Sequence, residues 1–212
     1  MTDKQAEELL RRAYALDSTK PEETRALYRD WAETYDGTMI DGLGYVSPQK
    51  IADITAVWLT GRRAPVLDVG CGTGLLAAVL AEHGFANVDG LDYSSEMLDV
   101  AEQKGRIRHR FLRDLTAPLE MEPDCYAALV STGTFTHGHV DGSCLPGLLA
   151  LLRTGGLLVC TVHQDVWDDG GFGEVLDGLV RAGTAEIVSR EPDHLFQSDE
   201  SPTGWYLVVR RC

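Results

Sequence analysis

An α/β fold built on one mostly parallel sheet is what this 212-residue sequence predicts, and three observations carry that expectation. Short apolar runs rich in β-branched residues recur along the chain, bounded by Gly, Pro or Asp. Segments with apolar residues at helical spacing stand between them. At the first strand-to-helix junction, Val66-Leu67-Asp68-Val69-Gly70-Cys71-Gly72-Thr73-Gly74, three glycines alternate with other residues. Such a loop lets a ligand lie against bare backbone, because glycine has no Cβ and reaches positive φ.

Composition bounds the rest. A chain of this length fits one large α/β domain. With 44% apolar residues and no apolar tract of membrane-spanning length, it reads as globular with no membrane association. Met1-Thr2-Asp3-Lys4-Gln5 has no apolar stretch of the signal-peptide kind. Five cysteines without a C-x-x-C pair point to reduced thiols in the cytoplasm or nucleus, with Cys160 in the core. A net charge of −14 repels phosphate backbones and disfavours nucleic acid as substrate. The cluster Arg106, Arg108, Arg110 and Arg113 reads as a solvated face.

In chain order, residues 2–16 form a surface helix with Leu9, Leu10, Ala13 and Leu16 on its apolar side. Thr19-Lys20-Pro21-Glu22-Glu23 starts a second helix. That helix carries Tyr28, Trp31 and Tyr35 on one stripe and stops at Asp36-Gly37. Residues 38–45 read as a mobile loop. Ser47-Pro48 supplies an N-cap and first-turn proline for a helix to Leu59, with Ile51, Ile54 and Trp58 buried and Gly61 ending it.

The first strand and its glycine loop lead into a helix from Leu75 to Ala81, whose free N–H groups and positive dipole end face a bound ligand. A nucleotide-like molecule is the natural occupant. Position 75 is Leu, not the third glycine of a dinucleotide fingerprint, and no phosphate-gripping G-x-x-x-x-G-K-[ST] occurs. A nicotinamide enzyme is argued against on that ground. The second strand, Val88–Asp92, ends in an acid that can accept hydrogen bonds from ribose hydroxyls. Tyr93 and Met97 follow, Met97 being a soft contact for a flat ring. The third strand is placed at Phe111–Leu115.

The fourth strand is placed at Cys125–Ser131, with 132–137 as the loop at its carboxyl end, where ligands of open α/β sheets bind. A helix from Ser143 to Leu152 then turns at Gly155-Gly156 into a fifth strand, Leu157–Val162, with His163 at its end. A helix at Gly173–Ala182, a strand at Glu186–Ser189, a turn at Pro202-Thr203-Gly204 and a last strand at Trp205–Arg210 complete the count.

The G-x-G-x-G after Asp68, the acid Asp92, and Phe111-Leu112-Arg113-Asp114-Leu115 together resemble the motifs of class I S-adenosylmethionine-dependent methyltransferases. The resemblance covers Ala64 to about Leu158. It implies a Rossmann-like seven-stranded sheet of order 3-2-1-4-5-7-6 with strand 7 antiparallel, helices on both faces, and an N-terminal helical cap. In that layout 1–212 is a single domain, with 1–46 as cap or lid and 47–212 as core. It implies S-adenosyl-L-methionine as cofactor and S-adenosyl-L-homocysteine as product. The residues it assigns to the cofactor are Asp68, Gly70, Cys71, Gly72, Gly74, Asp92, Tyr93, Met97, Asp114, Leu115 and Ser131. Tyr28 and Tyr35 join them if the aromatic stripe folds over the cofactor; the same stripe reads equally as plain core. The segment Tyr28–Asp36 with Gly42-Leu43-Gly44-Tyr45 is similar to methyltransferase-like proteins of the Williams–Beuren chromosomal region group.

The function expected is methyl transfer from S-adenosylmethionine to a small-molecule acceptor. The chain lacks the Asn-Pro-Pro-Tyr-like tetrapeptide that amino-methylating DNA and glutamine enzymes of the class carry after strand 4, and has Ser131-Thr132-Gly133-Thr134 there. The alternative is a non-catalytic cofactor-binding regulator or scaffold. His137 and His163 are candidate general bases because histidine titrates near neutrality, or they merely cap strand ends. His137-Gly138-His139 with Asp141 lacks further ligands at suitable spacing, so no metal is predicted. A protein partner is left undefined.

Overall fold

The computed structural model describes residues 3–16, 20–198 and 201–212. The helix-start residue Thr19 lies outside them. Seven strands form one sheet in the order β3-β2-β1-β4-β5-β7-β6: β1 Val66–Val69, β2 Val88–Asp92, β3 Arg110–Leu112, β4 Tyr126–Phe135, β5 Leu152–His163, β6 Ala185–His194 and β7 Thr203–Arg211. The pairs from β3 through β5 are parallel, and β7 runs antiparallel to β5 and β6. The order expected from the family resemblance is therefore the order observed.

Alternation along the strands splits the core into two layers. Val66, Ala128, Val130, Leu157, Val159 and Val208 pack on one face. Against them lie helices α1 (Asp3–Tyr14), α2 (Pro21–Trp31), α3 (Ser47–Trp58), α4 (Leu75–Glu82) and α5 (Ser95–Lys104). Leu67, Val69, Leu129, Leu158, Cys160 and Val209 pack on the other, covered by α6 (Leu145–Leu151), α7 (Gln164–Asp169) and α8 (Phe172–Arg181). Helices thus flank both faces, as a sheet of near-continuous apolar strands requires.

Several local expectations change. Residues 38–45 are no mobile loop: Gly37–Gly42 form a π-helical turn that buries Thr38 and Met39, and Tyr45 bridges Phe196 in the β6–β7 connection. The cap of α3 is Val46, not Ser47; the Ser47 hydroxyl instead bonds the Leu195 carbonyl and the Tyr206 hydroxyl at 2.9 Å. Trp58 is 41% exposed and not buried. The stretch after Ser131 is an extension of β4 that stays in the sheet through a register shift before Phe135, which the left-handed Gly133 permits. Likewise β5 begins at Leu152, running through Gly155-Gly156, so α6 is shorter than expected. The arginine cluster is paired: Arg108 holds buried Asp89 through two bonds of 2.9 Å, and Arg110 pairs with Glu102 at 2.5 Å.

Candidate active site

The carboxyl ends of β1, β2 and β4 open into a cleft of about 250 Å³. The three glycines at the end of β1 all have positive φ, each with a different neighbour. A Cβ on Gly70 would lie 2.1 Å from Thr134 Oγ1, and one on Gly74 would sit 3.4 Å from Ala101 of α5. At Gly72 nothing lies within 4 Å of where a Cβ would be, so there the bare backbone faces open space on the cleft wall. Close packing excludes a side chain at Gly70, positive φ alone disfavours one at Gly74, and at Gly72 the open side is left to a ligand.

Asp92 at the end of β2 lines the cleft. Its Oδ2 accepts from Gly72 N at 2.8 Å and its Oδ1 from Ser94 N at 2.9 Å. The carboxylate is buried, which pushes its pKa up against those amides, and each oxygen keeps a lone pair for a ligand. Asp114 sits just past β3, where Oδ1 takes the Thr116 amide and hydroxyl and Oδ2 takes Arg25 of α2 at 3.3 Å. Tyr93, Met97 and Leu115 complete this end.

Helix α2 and the short 3-10 turn after it form the opposite wall. Thr24, Tyr28 and Tyr35 line the cleft, while Trp31 between them is buried at 2%. One stripe therefore supplies both core and site. Arg25 lies 5.7 Å over the Tyr93 ring. Asp36 accepts from Thr73 of the glycine loop at 2.5 Å and pairs with Lys104 of α5.

Other expected residues lie behind the wall. Asp68 is 1% exposed, with Oδ2 lacking a partner; burial, then the nearby Asp92 charge, lifts its pKa to about 8. The Cys71 sulfur lies under Gly90, where burial raises its pKa well above the ordinary thiol value. Ser131 donates to the Val69 carbonyl at 2.7 Å and braces the end of β1. His137 and His163 are apart from the cleft, with ring centroids 4.6 Å apart and Tyr14 packed against both. Asp165 is 3.7 Å from His137 Nε2.

A second, smaller chamber adjoins the cleft at the ends of β4 and β5, and Tyr28, Tyr35, Gly133 and His139 line both spaces. Its other walls are mostly aromatic and aliphatic, and among the described residues no Asp, Glu, Lys or Arg lines it. His163 lies on this wall. Its Nδ1 accepts the Asp165 amide at 3.2 Å, so the neutral ring carries its proton on Nε2 and presents a donor. Burial, then His137, lowers the pKa of His163 and favours that neutral form. His139 was considered in the sequence only as a metal ligand; its place on both walls depends on a contact with Tyr28 that its local sequence does not reveal.

The sequence comparisons agree with this geometry. The family described as a methyltransferase domain matches residues 66–156. Human methyltransferase-like protein 27 is 31% identical over 186 residues, 84% of this chain and 75% of that protein. The chain belongs to the class I S-adenosylmethionine-dependent methyltransferases. The methyltransferase is similar in fold to a putative methyltransferase solved in complex with the Haloferax volcanii Trm112 activator, at TM-score 0.64 and 19% identity, covering 87% of this chain and 96% of that one. It is similar also to magnesium protoporphyrin IX methyltransferase from Synechocystis solved with bound S-adenosylmethionine, at TM-score 0.55 and 17% identity, over 77% of this chain and 79% of that one.

S-adenosylmethionine is the cofactor of this methyltransferase, and the cleft suits it. The Thr24 and Tyr93 hydroxyls, both on cleft-lining residues, are buried without partners, the Gly72 backbone is open, and two carboxylates suit a cationic ligand. Among the described residues no helix is long and apolar enough to cross a membrane.

Proposed function

We propose that this methyltransferase acts on a small, uncharged acceptor carrying hydrogen-bond-accepting oxygen, held in the chamber at the ends of β4 and β5. One observation carries the reading. Trp31 Nε1, Thr136 Oγ1 and His163 Nε2, all on chamber-lining residues, are buried without hydrogen-bond partners among the described residues. Each such group costs about 1–3 kcal/mol until something bonds it, and two of the three only donate. An acceptor with carbonyl or hydroxyl oxygens relieves them. Among the described residues these walls hold no carboxylate for a lysine ammonium and no Lys or Arg for a phosphate.

The cofactor supplies an electrophilic methyl on a sulfonium. The chain aligns the acceptor with it and excludes water. Asp92, Tyr93, Met97 and Asp114 hold the adenosine end, and Gly72 lets the methionine end lie on the loop. With the adenosine end toward β2 and β3, the methyl is directed at β4 and so at the shared wall of Tyr28, Tyr35, Gly133 and His139. Residues 1–46 act as a lid in this reading, because Arg25 and Asp36 tie α2 and the turn after it to Asp114, Thr73 and Lys104. Five free cysteines favour a reducing compartment, the cytoplasm or nucleus.

The test is transfer of radiolabelled methyl to a panel of small alcohols, phenols and keto-enols beside total protein and RNA. Label in the small molecules is expected. Label confined to protein or RNA sinks the reading, and no label anywhere with cofactor binding intact favours a regulatory or scaffold protein.

A further inference from the structure

We infer that His139, working with Tyr28, is the proton acceptor of the transfer reaction, so that the acceptor reacts through a protic O–H group. The inference rests on the small-molecule reading above. His139 Nδ1 lies 2.7 Å from the His137 carbonyl oxygen, which can only accept, so Nδ1 carries the ring proton. Nε2 of the neutral ring is left as a lone pair, and the Tyr28 hydroxyl donates to it at 3.0 Å. The two rings meet edge to face with centroids 5.4 Å apart, and both residues line the cleft and the chamber. The pair therefore stands at the boundary the methyl group must cross.

The neighbouring histidines lack this arrangement. His163 carries its proton on Nε2 and so offers a donor, and His137 is not among the residues that line either space. Burial keeps the Tyr28 phenol protonated and keeps His139 neutral. The groups facing the pair are His137 on the same loop, Tyr14 from α1, Tyr93 and Asp92 from the end of β2, and Tyr45.

The step balances in atoms and charge. The acceptor oxygen bonds the methyl carbon while the carbon–sulfur bond breaks and its electron pair stays on sulfur. The acceptor proton passes to Tyr28 Oη as the Tyr28 proton passes to His139 Nε2. The positive charge that leaves the sulfonium ends on the imidazolium, whose Nδ1–H remains bonded to the His137 carbonyl.

Two measurements test this on the full chain. In the first, phenol and thiophenol serve as probe acceptors, because thiophenol ionises near neutrality and needs no base while phenol does. In His139→Gln and in Tyr28→Phe, the ratio of phenol to thiophenol kcat should fall on the order of 100-fold, with S-adenosylhomocysteine titration confirming a folded cleft. An unchanged ratio overturns the inference and leaves the chamber reading standing, whereas methylation of neither probe by the unsubstituted enzyme counts against both.

The second measurement needs no acceptor. Long-range 1H–15N spectra of the imidazoles should show His139 with its proton on Nδ1 between pH 6 and 8, and its Nε2 resonance should move in Tyr28→Phe. A proton on Nε2, or a cationic ring across that range, overturns the inference whatever the probes do.

Discussion

The cleft at the ends of β1, β2 and β4 and the chamber at the ends of β4 and β5 differ in the charge on their walls and in where their parts come from. In the cleft, Asp92 and Asp114 are bonded by amides and hydroxyls within a few residues of them, by the glycine loop and by Arg25 of α2. In the chamber, Trp31, Thr136 and His163 hold unpaired buried atoms, and its walls join residues from Leu10 to Phe196. A cleft walled by fixed carboxylates beside a chamber of aromatic and aliphatic walls fits the proposed division into cofactor and acceptor spaces.

The sharpest test of that contrast is within the glycine loop itself. Gly70→Ala puts a methyl against Thr134 at positive φ and should destabilise the free protein by about 3 kcal/mol, read as a large drop in Tm. Gly72→Ala meets no protein atom and should cost the free protein only about 1 kcal/mol, while S-adenosylmethionine affinity falls on the order of tenfold or more by titration. Equal losses of Tm in the two variants would break the distinction between a packing glycine and a ligand-facing one.

Next in size, Asp92→Ala should weaken cofactor binding by about 1–3 kcal/mol, since ribose hydroxyls and the Gly72 amide both lose an acceptor. Calorimetry with S-adenosylhomocysteine measures it, and an unchanged Kd removes Asp92 from the site.

Asp68 tests the cleft through pH. Its folded pKa of about 8 lies far above the ordinary carboxylate value, so folding favours the protonated form. Stability is fully present below about pH 4 and is lost as pH rises toward 8, at roughly 1 kcal/mol per unit. Asp68→Asn should flatten that slope in Tm measurements from pH 5 to 8; an unaltered slope would mean the carboxyl is ionised and paired.

The smallest effect belongs to the chamber. Thr136→Val removes a buried hydroxyl that has no partner at nearly constant volume, and should stabilise the free protein by about 1 kcal/mol without changing cofactor affinity. A loss of stability would show that the hydroxyl is already satisfied and the chamber is not poised for a ligand.

The halves also differ in how far they could be read from the chain. The strand order, the acids at the ends of β2 and β3 and the glycine turn were legible, because each depends on residues adjacent in sequence and on a motif of fixed spacing. The bulged extension of β4 was not, since Thr132-Gly133-Thr134 reads as a loop until β5 is found beside it. Nor was the turn after α2, whose Thr38 and Met39 look like loop residues until the helical face buries them.

By itself the sequence determined that bare backbone and strand-end carboxylates come together at one end of the sheet, because each is set by glycine conformation or by a residue closing a strand. Only the tertiary structure set the hydrogen bonds on which the proposed role of His139 rests. His137, His139 and His163 all stand near strand ends, and what separates them is a hydrogen bond from Tyr28 to His139, 111 residues away in the chain, together with the backbone group each ring faces. Such tautomer-fixing contacts come from the packing of α2 on the sheet, and no local pattern of residues encodes them.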